Sequence, residues 1–427
     1  MKRKMLFFER FMYVDGVTPI NCVMTLRVRG TINPSNLRTA LNKVQAKHPL
    51  LQARVIEEGG EPYFAFGDEV PEIPLEIVKR VSSEDWRART AAEWKVPFDA
   101  KVGPLLRLVW IRSEEFSELM MIAHHCICDG GSVMTLIREV LQVTDEPETE
   151  LVPYVSFSAL TDLIPNEVLT DPKMQRRVQR RAWLYKVFLA VIASRTRALP
   201  ASDPYVLYWN ANAEELAAIN HRCIAEDTNT YAAFCVAFLQ AFREIQGRKA
   251  KNKIMCPVSI RRFIRSVKSD MLFAFAPTIE LSLPKESRGD FWTLARQMKR
   301  SIGEKIEGMN AYEDLMLGAR MLSSLPRIIN FLRSSRGGHD VAFSNMGRLR
   351  IPSKYKAFQV EAVVGSTVAV PWRNTNTLIA TNFLNAMELS FISNERFLPQ
   401  REAQTIQQRA LELLKQAMAI PHAPRAD

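Results

Sequence analysis

Of the 427 residues only six are histidines, and two of these, His124 and His125, stand side by side. The apolar run Leu119-Met120-Met121-Ile122-Ala123 leads into them, and Cys126-Ile127-Cys128-Asp129-Gly130-Gly131-Ser132 follows. The run reads as a strand, the glycines as a tight turn, and Leu136, Ile137, Val140 and Leu141 as the stripe of a following helix. Reactive groups are often presented at such a strand end. A neutral imidazole, with an ordinary pKa of about 6.5, suits removal of a proton from a hydroxyl or an amine near neutral pH. Neighbours on a strand point to opposite faces, so one ring is expected at a site and the other in the supporting core. His124, His125, Cys126, Cys128 and Asp129 also offer ligand types for zinc. No second Cys or His cluster is visible to complete a tetrahedron, so no metal is expected. Cys126 or Cys128 as a covalent nucleophile is disfavoured by apolar neighbours of the kind that surround inert core cysteines.

The elements that must hold this cluster are legible in outline. Alternation over Met24–Arg29 predicts a half-buried strand with Met24, Leu26 and Val28 on its apolar face. Asn33 as N-cap and Pro34 at the first helical position open a helix carrying Leu37, Leu41 and Val44 toward His48, and Leu50 to Val55 reads as the next strand. Helix followed by strand returns at Thr228–Ile245 and Ile254–Val258. A hairpin is expected over Leu378–Phe383 and Met387–Ile392, a closing helix over Ala403–Ala417, and a loose tail over 421–427. The length exceeds what one core usually serves. An α/β chain of two lobes is therefore expected: residues 1–150 with the histidines, a linker over 151–204, and a second lobe over 205–427.

The stretch His124-His125-x-x-x-Asp129-Gly130 resembles the signature of the superfamily that includes chloramphenicol acetyltransferase, carrier-protein condensation domains, and polyketide-associated and alcohol acyltransferases. Further segments are similar to that superfamily in the right order: His48-Pro49-Leu50-Leu51, Pro97-Phe98-Asp99, Gly103-Pro104-Leu105-Leu106-Arg107, Pro257 to Arg262, Phe291 to Arg296, and Ser344-Asn345-Met346-Gly347. The resemblance implies mixed sheets in two chloramphenicol acetyltransferase-like lobes set in a V, with a tunnel between them. It gives His125 the role of general base in acyl transfer, and His124, Asp129 and Gly130 structural parts, Asp129 by pairing with an arginine. Asn345 and Ser344, or a backbone N–H near Gly130, are candidates at the oxyanion or the tunnel wall, and Arg261 and Arg262 are candidates at the donor. The implied donor is an acyl-CoA or an acyl carrier protein as substrate, with no resident cofactor, and the acceptor is an alcohol or an amine. No Asp-Phe-Gly-Trp-Gly run is present, which argues against the plant alcohol-acyltransferase branch. The reading favoured is a stand-alone O-acyltransferase; the others are a free-standing condensation enzyme forming an amide, and a binding module without chemistry. The family suggests a monomer.

The net charge of +11 would draw an acidic protein, a phosphorylated substrate or an anionic membrane. Its basic residues do not interleave with aromatics as in nucleic-acid-binding motifs, so no nucleic acid is expected. Glu9 and Arg10 interrupt the apolar run after Met1-Lys2-Arg3-Lys4, so no signal peptide is expected, and the six scattered cysteines fit a reducing cytoplasm. In the linker, Arg176 to Leu189 forms a helix with Leu184, Val187, Phe188 and Val191 on one side and arginines at its start. The ordinary expectation is that this stripe packs on the protein; peripheral contact with an anionic membrane is the alternative.

Overall fold

The computed structural model describes residues 1–67, 69–193, 203–275, 277–284 and 290–420, with the side chains of residues 192 and 193 excepted. The expected tail and residues 194–202 of the expected linker lie outside the described residues. In chain order the strands are β1 (Lys2–Lys4), β2 (Asn21–Gly30), β3 (Ala53–Glu58), β4 (Glu61–Phe66), β5 (Leu75–Lys79), β6 (Leu106–Arg112), β7 (Phe116–His124), β8 (Pro204–Ala211), β9 (Lys253–Pro257), β10 (Thr278–Ser282), β11 (Val341–Arg348), β12 (Phe358–Val368), β13 (Thr377–Phe383) and β14 (Ala386–Asn394). They form two large mixed sheets, β12-β2-β7-β6-β5 and β10-β9-β11-β13-β14-β8, and a small one, β1-β4-β3.

The first sheet is buried on both faces. Met24, Leu26 and Val28 of β2, with Leu119 and Met121 of β7, meet Leu37, Leu41 and Val44 of helix Pro34–Lys47 and Val133, Leu136, Ile137 and Val140 of helix Gly130–Asp145. The alternate residues Val23, Met120 and Ile122 pack on the other face with Val364, Ile379 and Ile392 from the second half of the chain. The second sheet carries its own core under helices Thr230–Gln246, Phe291–Glu307 and Gln400–Ala419. Period-2 alternation thus joins the two halves back to back.

Three differences from the sequence reading have clear causes. Pro49–Gln52 is a 3-10 turn, so β3 begins only at Ala53; Pro49 lacks the N–H that a ladder needs, and Leu51 N–H closes a turn on His48 O. Residues 358–368 do not stay with the second sheet: β12 pairs antiparallel with β2 and becomes an edge of the first, so the halves share a sheet. The linker helix runs over Pro172–Ala193 and turns Val178, Ala182 and Leu189 inward, which leaves the stripe expected to pack on the protein exposed: Leu184 is 53%, Phe188 50% and Val191 60% accessible.

Candidate active site

β7 ends at His124, and the chain turns over residues 125–127 before helix Gly130–Asp145 begins. Backbone bonds clamp this turn from both sides. The His124 N–H donates to Leu105 O at 3.0 Å, the His125 N–H to Ile20 O at 2.8 Å, and the Ile127 N–H to His124 O at 3.1 Å. The segment Gly103 to Arg107 and the approach to β2 therefore position the two rings.

The two histidines differ in every physical respect. His124 is 5% exposed, wedged near Tyr13 and edge-on to Phe98, and its Nδ1 accepts the Cys126 N–H at 3.2 Å. Burial, then the neighbouring His125 and Arg107, push its pKa down to about 3, so it stays neutral. His125 is partly accessible, and its Nδ1 lies 2.8 Å from the Cys128 carbonyl oxygen. A carbonyl only accepts, so in the neutral ring Nδ1 carries the hydrogen and Nε2 presents the lone pair. Burial opposes charging of His125, but the Cys22 thiol, backbone hydrogen bonding that includes the Cys128 carbonyl, and Asp129 outweigh it, and its pKa is raised.

Asp129 caps the helix that follows. Its Oδ1 accepts from the Ser132 N–H and Ser132 Oγ, both at 2.9 Å. The same carboxylate holds Arg261 in a two-point pair, with Nη2 donating to Oδ1 at 2.7 Å and Nη1 to Oδ2. Arg261 Nη2 also reaches Ser132 Oγ at 2.8 Å and the carbonyls of Phe273 and Met271 at 3.2 and 3.3 Å. Asp129 is 5% and Arg261 8% exposed. The partner that sequence alone left open is therefore Arg261, which was expected at the donor instead. Both its terminal nitrogens are engaged on protein acceptors.

Gly130 lies against the second half of the chain. A Cβ there would stand 2.3 Å from Met346 Sδ and 2.5 Å from its Cε, so glycine at the motif lets Met346 seat. Met346 belongs to the Ser344-Asn345-Met346-Gly347 run, where β11 carries a bulge and Gly347 has φ +71°. Asn345 Oδ1 accepts the Gly347 N–H at 3.0 Å, and Ser344 Oγ stands 3.9 Å from Met346 Sδ. Asn345 is exposed, and it lines a cavity of about 650 Å³ together with Gly131, Arg261, Arg262, Ser259 and Ser269. His125 is not among the lining residues. The structure thus brings His125, Asp129, Gly130 and Arg261 into one cluster and sets Asn345 and Arg262 on the cavity beside it.

One residue of this cluster carries no motif. Cys22 of β2 is paired in register with Ala123, two residues before His125. The pKa of its thiol is lowered to about 7, first by a hydrogen bond with Cys128, against burial and with help from His125, whereas the same hydrogen bond with Cys22, and then burial, push the Cys128 thiol up. Strand pairing brings Cys22 here, and nothing local in its own sequence announces it. Burial likewise pushes Cys126 up, which keeps it a thiol. Among the described residues no group of three or more His, Cys, Asp or Glu side chains is arranged to hold a metal ion.

Residues 1–157 match the family model described as Condensation domain. Over 132 residues, 31% of this chain, the sequence is 31% identical to gramicidin S synthase 2 of Brevibacillus brevis, of which the aligned part is 3%. The chain thus corresponds to a small part of the curated relatives it matches. The first condensation domain of the calcium-dependent antibiotic synthetase superposes with a TM-score of 0.72 at 15% identity, covering 99% of this chain and 98% of that one. The trichothecene 15-O-acetyltransferase of Fusarium sporotrichioides gives 0.72 at 12% identity, over 98% and 95%. Residues 1–157 thus resemble a condensation domain, and the fold of the chain is the one shared by that condensation domain and that acetyltransferase. Its condensation-type fold extends through both halves, including the second, which the family model does not reach. Among the described residues no helix is long and apolar enough to cross a membrane.

Proposed function

We propose that the protein moves an acyl group from a thioester, carried by CoA or by an acyl carrier protein, to a hydroxyl, with His125 as general base. The observation that carries this is the 2.8 Å contact of His125 Nδ1 with the Cys128 carbonyl, which leaves Nε2 free to take a proton. Nε2 removes the acceptor's proton as its oxygen attacks the thioester carbonyl. The tetrahedral oxyanion collapses with loss of the thiolate, and the imidazolium returns the proton to that sulfur. General-base assistance supplies about 10²- to 10⁴-fold. Alignment of the two substrates between the lobes supplies the rest.

The oxyanion falls to the Asn345 side chain or to a backbone N–H near Gly130, where the helix N-terminus adds favourable field. Arg262, exposed on the cavity, meets the donor's phosphate; Arg261 holds the turn through Asp129. A second reading, amide formation between carrier-bound substrates, is favoured by the condensation model over residues 1–157 and by the peptide-synthase relatives.

The test is to incubate wild type and His125→Ala with acyl-CoA donors and an acylated carrier protein, each with mixed alcohols and amines, and to read products by mass spectrometry. Ester from wild type, reduced at least a hundredfold in His125→Ala, is the expected result. Amide alone from the carrier-bound donor assigns the second reading. No product with either donor, or undiminished product from the variant, overturns the role given to His125.

A further inference from the structure

We infer that the outer face of helix Pro172–Ala193 docks the protein on an anionic membrane surface. Six large apolar side chains of this helix are open to solvent: Trp183 at 62%, Leu184 at 53%, Tyr185 at 47%, Val187 at 43%, Phe188 at 50% and Val191 at 60%. A contiguous exposed apolar patch of this kind marks an interaction site. The helix is nevertheless well anchored, because Val178, Ala182 and Leu189 are buried beneath it, and Arg177 and Arg181 both pair with Glu313.

The arrangement of charge selects the partner. At 100° per residue, Lys173, Arg176, Arg177 and Arg180 share one sector of about 140° with Trp183, Leu184, Val187, Phe188 and Val191. The same outer face is cationic over its first half and apolar over its second. Arg176 and Arg180 are exposed and form no ion pair among the described residues. A lipid headgroup layer offers this combination in one surface, anions above and hydrocarbon below, so the apolar half sinks in while the arginines stay on the phosphates. A second copy of this chain would instead set cationic halves against one another or against apolar stripes. The helix rests on the surface and does not cross it.

The docked face is linked to the histidine end of the molecule. Phe188 meets Phe331 edge-on with ring centroids 6.5 Å apart, and the helix of Phe331, Leu325–Ser334, carries Ile329 into the cluster around Ile20, whose carbonyl accepts the His125 N–H. A lipophilic acceptor or acyl chain leaving the bilayer would therefore enter on the side of the molecule that holds the base. This last step rests on the acyl-transfer reading; the docking itself does not.

Flotation of the full chain with vesicles of phosphatidylcholine mixed with phosphatidylglycerol, and with pure phosphatidylcholine, tests the dock without any turnover. Failure here and failure of the acyl-transfer reading are thus separately visible. The expected result is retention on the anionic vesicles that weakens with salt. Retention should fall at least tenfold in Trp183→Ser/Phe188→Ser and about fivefold for each arginine in Arg176→Gln/Arg180→Gln. Both pairs are exposed, so unfolding transitions should match wild type. No retention, retention indifferent to the apolar pair, or a wild-type dimer that the apolar pair makes monomeric would each overturn the proposal, the last by assigning the face to a second copy.

Discussion

Helix Gly130–Asp145 is tied at two places to the stretch between Arg261 and Phe275, and both ties are ionic clusters, the first buried throughout and the second buried at Glu139 and Lys47 but half-buried at Asp270. At its start, Asp129 and Ser132 hold Arg261. Ten residues on from Asp129, Glu139 takes Lys47 at 2.6 Å and His48 Nε2 at 2.7 Å, and Lys47 continues to Asp270 at 2.9 Å, which also accepts from the Tyr154 hydroxyl. The chemistry is alike, but the first cluster caps the turn that bears His125, and the second touches no part of that turn. Ionic clusters of one kind can thus differ wholly in their bearing on activity, according to what their backbone leads into.

The largest effect expected from this difference is that of Arg261→Ala. It leaves the Asp129 carboxylate buried without its cation, which costs about 3–5 kcal/mol. Urea unfolding should report that loss, and turnover per folded molecule should fall with it because the turn under His125 loses its brace. Undiminished turnover would make the first cluster as purely structural as the second. Glu139→Gln should cost less, about 1–3 kcal/mol, because Lys47 keeps Asp270 as a partner, and turnover per folded molecule should be unchanged.

The second cluster also has a pH signature. Burial opposes ionisation of Glu139, but His48 and Lys47 outweigh it and hold the carboxyl below its usual range. Asp270, likewise opposed by burial, is held down to about 2 by Lys47 and Tyr154. Carboxyls depressed in the folded state contribute stability that is full above their unfolded values, near 4, and lost as pH falls through the folded ones. Wild-type stability should therefore decline below about pH 4, more steeply than that of Glu139→Gln, in unfolding titrations.

A smaller effect is expected at Gly130, where the first cluster meets β11. Gly130→Ala forces Met346 to swing aside and should cost about 1–2 kcal/mol. Adding Met346→Ala, which clears the space, should make the Gly130 substitution nearly silent. Coupling of that sign in a double-mutant cycle would place the motif glycine's requirement in the Ser344 to Gly347 run rather than in its own backbone.

These clusters also show where the sequence is readable. The strand, turn and helix around His124 and His125 lie within one short stretch, so an apolar run, paired glycines and the helical stripe after them announce them together. Arg261 lies 132 residues from Asp129 in a 3-10 turn, and nothing in its neighbours separates it from the adjacent Arg262. Hydrophobic spacing showed that helix Pro172–Ala193 has stripes but not which one turns inward. The buried set, Val178, Ala182 and Leu189, is no more apolar than the exposed one. β12 was missed as a member of the first sheet for the same reason: apolar residues on both its faces suit either sheet, and only the partner strand decides.

Cys22 is the part of the first cluster with the mildest expected consequence. Its thiol is the first-ranking influence that raises the His125 pKa against burial, and the second cluster has no counterpart near a reacting group. A general base works in its neutral form, so activity should fall as pH drops through the His125 pKa, which in wild type lies above the ordinary value near 6.5. Cys22→Ser removes a thiol whose pKa is lowered and substitutes a hydroxyl that stays neutral. The acid limb of kcat/KM should then move to lower pH while the plateau at higher pH stays within about twofold of wild type. A plateau lost with the thiol would instead make Cys22 a participant in the chemistry, and an acid limb that does not move would assign the raised pKa to the Cys128 carbonyl and Asp129.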